Sequence, residues 1–303
     1  MRKFLLGLAV LAIVAAACAP EDDASTEPTD ASGTTEPAPV DAATCAADAS
    51  LVNDGTLTIG TGNPAFPPWW EGGTTDANEE WEFNDPYLLK GFEGATVGAV
   101  AEQLGFSPEE IRFVPVPFGK SFAPGPKDFD IVVQQISYSE KRAQAVSFSD
   151  SYYEVNQALV SVKGSAIEGA STLAELQGSK LGAPLGTTSF DYIDQNIQPT
   201  EEPAVYNDLH GAVQALKTGQ VDGIVVDLPT AFFVTAVQIP KGVIVGQFPT
   251  AGAQEYFAFA LEKDSAFTEC VNLALQELKD DGTLASIQQE WLSENASAPV
   301  IEG

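Results

Sequence analysis

The sequence has few of the side chains that build metal centres and catalytic triads. It contains three Cys, one His and one Met in 303 residues. A zinc site with several Cys and His ligands cannot be assembled from this set. A Ser-His-Asp triad would have to use His210, which is the only histidine. We therefore expect no metal site and no cofactor.

Basic side chains are also scarce. The chain has 14 Lys and Arg against 43 Asp and Glu, which gives a net charge of -29. Phosphate backbones would repel such a chain, so nucleic acid is not an expected partner. Hydrophobic residues are plentiful at 44%, and they include 17 Phe. The sequence therefore predicts a folded protein of one large or two medium domains, and not a disordered acidic chain.

The N-terminus predicts a signal peptide over residues 1–17. Arg2 and Lys3 precede an apolar run at 4–17, which is shorter than the ~20 residues that span a bilayer. The run ends in Ala15-Ala16-Ala17-Cys18, which resembles the box that directs lipid attachment to the Cys of bacterial lipoproteins, although Leu is usual at the first position. We expect lipidation of Cys18. The alternative is ordinary cleavage after small residues, with Cys18 incidental.

Residues 18–44 predict a flexible acidic tether. From residue 19 onward this segment has seven acids, four Pro, no bases and almost no large apolar side chain. It cannot offset the entropy of ordering by burial. We expect it to hold the folded part beside the membrane through the lipid alone.

From residue 56 onward, short β-rich runs alternate with helical periodicity, which indicates an α/β fold. Two polar or turn-rich segments, at 152–158 and 247–255, bracket a block with its own alternation of strands and helices. We predict two lobes joined by two crossover strands that form a hinge. The predicted limits are 45–152 and 253–295 for lobe 1, 158–248 for lobe 2 and 296–303 for a C-terminal tail.

A series of short motifs runs in order through residues 55–292. The motifs are Asn63-Pro64-Ala65-Phe66-Pro67-Pro68-Trp69, Gly91-Phe92-Glu93, Ile136-Ser137-Tyr138-Ser139-Glu140-Lys141-Arg142, Phe148-Ser149-Asp150-Ser151-Tyr152-Tyr153, Leu185-Gly186-Thr187-Thr188-Ser189 and Gln220-Val221-Asp222-Gly223-Ile224-Val225-Val226-Asp227. Their order and spacing resemble the family-3 extracytoplasmic solute-binding proteins, which serve amino-acid importers of the ATP-binding-cassette (ABC) type. The resemblance implies a type II periplasmic-binding-protein-like fold that closes on an amino acid between its lobes.

The resemblance assigns the ligand's α-carboxylate to Arg142, which stands where the family has its arginine. A guanidinium binds a carboxylate through two parallel hydrogen bonds. Thr187 and Thr188 lie between a predicted strand and a helix start, where backbone N–H groups would point at the same carboxylate. The alternatives are a solvated Arg142 on a helix surface and simple helix capping by Thr188 or Ser189.

The ligand's ammonium group is assigned to Asp227, which matches the family's acid at the end of a strand. Its alternative role is an N-cap, because Pro229 follows closely and favours a helix start. Ser137 matches a family Thr whose hydroxyl meets the ligand. The carbonyl of Gln135, which stands where many relatives have Gly, would complete the acceptors.

Aromatic residues are expected to contact the ligand's side chain. Phe66 and Trp69 match the family's aromatic wall, and Phe118 is a candidate second wall residue. Either Phe66 or Trp69 could instead belong to the core. Asn63 stands where several relatives have an acid, which argues against selection of cationic side chains.

Cys45 and Cys270 are expected to form a disulfide, because an exported chain meets oxidising conditions. The alternative is a pair of buried thiols.

Together these features predict a monomeric substrate-binding lipoprotein, outside the cytoplasm and lipid-anchored to the membrane, that captures a polar amino acid for an ABC permease. It would not be an enzyme. The alternatives are a dehydratase of small carboxylic acids on the same fold and an extracellular ligand-sensing protein.

Overall fold

The structure is a computed structural model that describes residues 40–250, 252–292 and 298–303. The predicted signal peptide, Cys18 and the tether up to residue 39 lie outside the described residues.

Two five-stranded sheets organise the described residues. The strands are β1 (Leu57–Thr61), β2 (Ile111–Pro115), β3 (Ile131–Val132), β4 (Val146–Glu154), β5 (Gln157–Val162), β6 (Leu181–Pro184), β7 (Ala204–Tyr206), β8 (Gly223–Asp227), β9 (Gly242–Gln247) and β10 (Tyr256–Glu262). Lobe 1 has the order β2-β1-β3-β10-β4 and lobe 2 the order β7-β6-β8-β5-β9. Each sheet combines parallel and antiparallel pairs.

Helices pack against both sheets. They are α1 (Ala42–Ala46), α2 (Phe92–Gln103), α3 (Phe118–Ser121), α4 (Glu140–Ala143), α5 (Leu173–Leu176), α6 (Thr188–Tyr192), α7 (Leu209–Lys217), α8 (Leu228–Phe233), α9 (Phe267–Asp280) and α10 (Thr283–Leu292). In α9 the apolar side chains recur every three to four residues, and this face, which includes Cys270 and Leu278, is buried as its spacing predicts. The segment at 71–90 is a long loop that contains only one helical turn, Pro86–Leu88.

The chain passes between the lobes at two adjacent segments, residues 155–156 and 248–255. The Val155 amide donates to the Glu255 carbonyl at 3.0 Å, and the Phe248 amide donates to the Gln157 carbonyl at 2.8 Å. These hydrogen bonds hold the crossings side by side, which places the ends of β4, β5, β8 and β10 around the cleft between the lobes.

The ordered part of lobe 1 begins before the predicted limit of the tether. Asp41 caps α1 by accepting from the Thr44 amide at 2.7 Å, and Ala42 is fully buried. The helix places Cys45 against Cys270 of α9, with 5.3 Å between their Cα atoms. Burial of this short helix offsets the entropy of ordering that the composition of the tether could not.

The predicted C-terminal tail is also ordered where it is described, because it packs on lobe 2. The Gln247 amide donates to the Pro299 carbonyl at 2.7 Å, and the Ile301 amide donates to the Gln247 carbonyl at 2.9 Å. Ile301 is fully buried in the lobe 2 core. Because α10 packs in the core of lobe 1, the described residues on the two sides of 293–297 belong to different lobes.

We expect Ile301→Ala to lower the free energy of unfolding by about 2–5 kcal/mol, because it removes a buried side chain and leaves a cavity. The matched control is Val300→Ala, since Val300 is 55% exposed and its truncation should change stability by about 0.5 kcal/mol or less. Denaturant unfolding of both variants measures the difference. Equal stabilities would show that the tail does not contribute to the core of lobe 2.

Candidate ligand-binding site

A cavity of about 620 Å³ lies between the two lobes. Nine of the ten side chains predicted to contact a ligand line it, and Trp69 is the exception. The nine are Asn63, Phe66, Phe118, Gln135, Ser137 and Arg142 of lobe 1 and Thr187, Thr188 and Asp227 of lobe 2. The fold therefore brings together residues from both halves of the sequence.

Arg142 lies on the wall of this cavity and connects the lobes. It belongs to α4, whose N-cap is the Ser139 hydroxyl. Its Nη1 donates to the Ser137 carbonyl at 2.6 Å, and its Nη2 donates to the Gly186 carbonyl of lobe 2 at 2.9 Å. The side chain is therefore not a solvated surface arginine.

The guanidinium of Arg142 lies against two aromatic rings and forms no ion pair with the described residues. Its centre lies 4.3 Å from the Phe122 ring centroid and 5.6 Å from that of Phe118, within the range of cation–π attraction. Burial lowers the pKa of Arg142 to about 10, and the charges of Asp191 and Glu255 oppose this. The group stays cationic at neutral pH, and a carboxylate entering the cavity would neutralise it.

Asp227 ends β8 and lies on the cavity wall opposite lobe 1. Its side chain accepts from the Thr230 amide at 2.9 Å, so the expected alternative role as the N-cap of α8 is also present. Removal from water raises the pKa of Asp227 to about 6, against the opposing effect of the Thr230 hydrogen bond. One acid here both begins a helix and faces the cavity.

Ser137 is 2% exposed and belongs to a polar network at the hinge. Its hydroxyl donates to Glu255 Oε1 at 2.5 Å, which leaves only its lone pairs for the cavity. Gln157 donates to the other Glu255 oxygen at 3.0 Å, and Ser189 donates to Gln157 Oε1 at 2.7 Å. Sequence reasoning missed Glu255 and Gln157, since each is a single polar residue at the edge of a predicted crossing.

Thr187, and neither Thr188 nor Ser189, caps α6. The Thr187 hydroxyl accepts from the Phe190 amide at 3.2 Å and donates to the Pro184 carbonyl at 2.8 Å. The hydroxyl of Thr188 has weaker hydrogen bonds, because its Oγ1 lies 3.4 Å from both the Ser137 hydroxyl and the side-chain amide of Gln157. Thr188 is thus the threonine whose hydroxyl is available to a ligand.

Trp69 takes the alternative position expected for it and belongs to the core of lobe 1. Trp69 is 1% exposed and packs edge-on against Phe92, Tyr153 and Phe257. Its Nε1 donates to Thr230 Oγ1 of lobe 2 at 3.3 Å, which is a contact between the lobes.

Five aromatic residues line the cavity, which are the predicted Phe66 and Phe118, the neighbouring Trp70, and also Phe122 and Phe257. Phe66 packs against Phe83 of the long loop and Phe233 of α8, with ring centroids 5.2 Å and 6.2 Å away. Phe66 thus contacts an aromatic ring of lobe 2, although Phe233 itself is not part of the cavity lining.

Asn63 is exposed at the cavity edge and orders the long loop. Its Nδ2 donates to the Glu80 carbonyl at 2.7 Å, and its Oδ1 accepts from the Glu82 amide at 2.9 Å. Because both polar atoms already have partners, the Asn63 side chain does not supply an unsatisfied hydrogen-bonding group to the cavity.

The described residues also lack two other kinds of feature. They contain no group of three or more His, Cys, Asp and Glu placed to hold a metal ion. No helix within 40–250, 252–292 or 298–303 has both the length and the apolar character needed to cross a bilayer.

Comparison with known proteins identifies the family of this chain. The profile of bacterial extracellular solute-binding proteins, family 3, matches residues 72–294. The arginine-binding extracellular protein ArtP of Bacillus subtilis (strain 168) is 28% identical over 229 residues, which cover 73% of this chain and 85% of ArtP. The L-cystine-binding protein TcyJ of Escherichia coli (strain K12) is 29% identical over 253 residues, which cover 81% of this chain and 87% of TcyJ.

The solved structures agree with the sequence comparison. The structure of an ancestral arginine-binding protein bound to arginine is similar with a TM-score of 0.61 and 31% identity, over 78% of this chain and 98% of that one. The predicted two-lobed type II fold is thus confirmed. The chain belongs to the bacterial extracellular solute-binding proteins of family 3.

Proposed function

We propose that this protein is the substrate-binding component of an ABC importer and captures an amino acid with a polar side chain between its lobes. The observation that carries the proposal is the buried guanidinium of Arg142, which forms no ion pair with the described residues and shares a cavity with Asp227. A zwitterion would present a carboxylate to the first and an ammonium to the second. Charge pairing in a site sheltered from water is far stronger than in bulk solvent.

Binding would favour the closed arrangement of the lobes. The lobes already meet through Arg142 and Gly186 and through Trp69 and Thr230. A ligand that touches Arg142 and Ser137 on one side and Thr188 and Asp227 on the other gains its full contacts only when the cleft is closed. Such differential affinity shifts the equilibrium between open and closed forms, and the closed form would dock on a membrane permease.

A thermal-shift screen against the standard amino acids and several small organic acids tests this function. A ligand that binds the folded state alone raises the melting temperature as its concentration exceeds Kd. We expect stabilisation by one or a few polar amino acids. An unchanged melting temperature with every amino acid would contradict the proposal.

Under this proposal the ligand leaves the cleft unchanged. The Arg142 guanidinium and the Asp227 carboxylate, which line one cavity, would hold the two charged groups of a zwitterion, and binding requires no proton transfer to its carbon skeleton. Incubation of the purified protein with prephenate-like carboxylic acids tests the dehydratase alternative. Turnover of any of these acids would favour that alternative. Capture of a membrane permease in preference to a sensor kinase would separate transport from ligand sensing.

We also propose that the protein is an extracytoplasmic monomer attached to the cell membrane through lipid on Cys18. The sequence motif that ends at Cys18 supports this anchor, and the acidic tether would keep the folded part off an anionic surface. The mass of the mature N-terminal peptide tests lipidation, and sedimentation tests the monomer.

The final part of the proposal is that Cys45 and Cys270 are oxidised to a disulfide. A cross-link between segments so far apart in the chain restricts the unfolded state, and its loss typically costs about 2–5 kcal/mol. We expect no free thiol in the tether-less domain under denaturing, non-reducing conditions, and a lower melting temperature after reduction. Two free thiols would refute the disulfide.

A further inference from the structure

Glu93 is a buried acid with an unusual set of partners. It lies in the first turn of α2, is fully buried and is separate from the cavity lining. Its Oε1 accepts from the Gln135 amide at 2.7 Å and from the Tyr152 hydroxyl at 2.5 Å, and its Oε2 accepts from the Gln135 side-chain amide. No cation of the described residues pairs with it.

These contacts hold Gln135 in a backbone conformation that it would not adopt readily by itself. Gln135 has φ of +49°, in the left-handed region that side chains other than Gly rarely occupy. The carboxylate of Glu93 binds both its backbone amide and its side chain. Gln135 lines the cavity two residues before Ser137, whose carbonyl accepts from Arg142. Glu93 therefore fixes the position of the segment that forms one wall of the site.

The protonation of Glu93 is balanced between two opposing effects. Burial without a cation disfavours the carboxylate, whereas three donors that all point at its oxygens favour it. Burial is the larger effect and raises the pKa of Glu93 to about 7, against the hydrogen bonds from Tyr152 and Gln135 and with a further upward contribution from Asp227. The helices α9 and α10 also pack on α2, but among the described residues they contribute no charge that acts on Glu93.

We propose that Glu93 is a positioning residue for the ammonium side of the cavity and that it releases a proton when an amino acid binds. The inference rests on the proposed function. An ammonium group held by Asp227 would attract negative charge on Glu93, because Glu93 binds Gln135, which lines the same cavity as Asp227. The charge of Asp227 also raises the pKa of Glu93, so neutralising that charge would favour the Glu93 carboxylate. Glu93 then changes from carboxylic acid to carboxylate, and its proton passes to the buffer.

The sign of the pH dependence follows from this exchange. Binding lowers the pKa of Glu93 from about 7 in the free protein, so affinity should rise with pH until Glu93 is ionised in the free protein. Below that point, affinity should fall by up to about tenfold per pH unit for each proton released.

Titration calorimetry at pH 7 in two buffers of different ionisation enthalpy measures the number of protons released. The probes are L-arginine, L-cystine and L-glutamine. We expect the wild type to release about 0.6 of a proton, of which about half a proton comes from Glu93, since a group with a pKa of about 7 is half protonated at this pH. With Glu93→Gln, release should fall to about a tenth of a proton, which is the share of Asp227 with its pKa of about 6.

A purely structural role would give a different pattern. If Glu93 acts through its charge, Glu93→Gln should weaken amino-acid binding about tenfold at pH 8. Below pH 6 the wild-type side chain is itself neutral, so the affinities of the variant and the wild type should become similar. Tyr152→Phe, which removes one donor to the carboxylate, should move the midpoint of the affinity profile to higher pH. Glu102→Gln, at an exposed position of the same helix, is the matched control. It should change neither the affinity nor the midpoint of its pH profile.

The outcomes separate this inference from the proposed function. Failure of every probe and of the thermal screen to stabilise the wild type would overturn both. Amino-acid binding with equal proton release from the wild type and Glu93→Gln would overturn this inference alone. Direct titration of the Glu93 side chain by carbon NMR should show a midpoint near pH 7 in the free protein and a lower midpoint with bound amino acid.

Discussion

Arg142→Ala is expected to weaken amino-acid binding by about 3 kcal/mol or more, which corresponds to more than about a hundredfold in Kd. The reason is that this guanidinium is buried, lacks an acidic partner among the described residues and lines the cavity between the lobes. A ligand carboxylate would be its neutralising partner. Calorimetry with the amino acid identified by thermal shift measures the loss.

Two further variants show which property of Arg142 matters. Arg142→Lys keeps a positive charge but loses the fork that binds a carboxylate through two hydrogen bonds, so an intermediate loss is expected. Arg112→Ala removes the other arginine of the described residues, which is exposed on β2, and should leave binding unchanged. The melting temperature of each ligand-free variant checks that the fold survives. Unaltered affinity in folded Arg142→Ala would overturn the site assignment.

Asp227→Asn is expected to have the second large effect, a loss of about 2–4 kcal/mol in binding free energy. Asn is as good an N-cap as Asp, so this substitution retains the start of α8 while removing the negative charge that faces the cavity. Asp227→Ala removes both and should also lower stability by about 1 kcal/mol. Comparison of the two variants separates the charge from the cap.

The pH profile provides an independent check on Asp227. Its pKa is raised to about 6 by burial, so protonation below that pH removes the charge that would attract an ammonium. Affinity of the wild type should therefore decline further as the pH falls through 6, and Asp227→Asn should lack this step. An identical decline in both proteins would assign the titration to another group.

The order of short motifs was sufficient to predict which distant residues share a cavity. Arg142 and Asp227 lie 85 positions apart in the sequence, yet both line the cleft. Regular periodicity is equally informative for α9, where apolar side chains recur every three to four residues along the buried face. Each motif and each periodic pattern lies within one short segment, and the order of the motifs is also read directly from the sequence.

Adjacent positions in irregular segments were harder to distinguish. Trp69 and Trp70 follow three prolines in a stretch without helix or strand, so no period indicates which ring faces the cavity. Packing decides the matter, since Trp69 lies among Phe92, Tyr153 and Phe257 while Trp70 reaches the lining.

The sequence by itself determined the family, the alternation of strands and helices and most of the cavity lining, because short motifs and periodic burial are encoded within each segment. Only the tertiary structure decided that Glu93 holds Gln135, that Glu255 binds Ser137 and that Ile301 enters lobe 2. Each of these contacts joins residues that are distant in the chain. Their partners are selected by how the lobes pack and by which polar groups are removed from water, and no single segment contains that information.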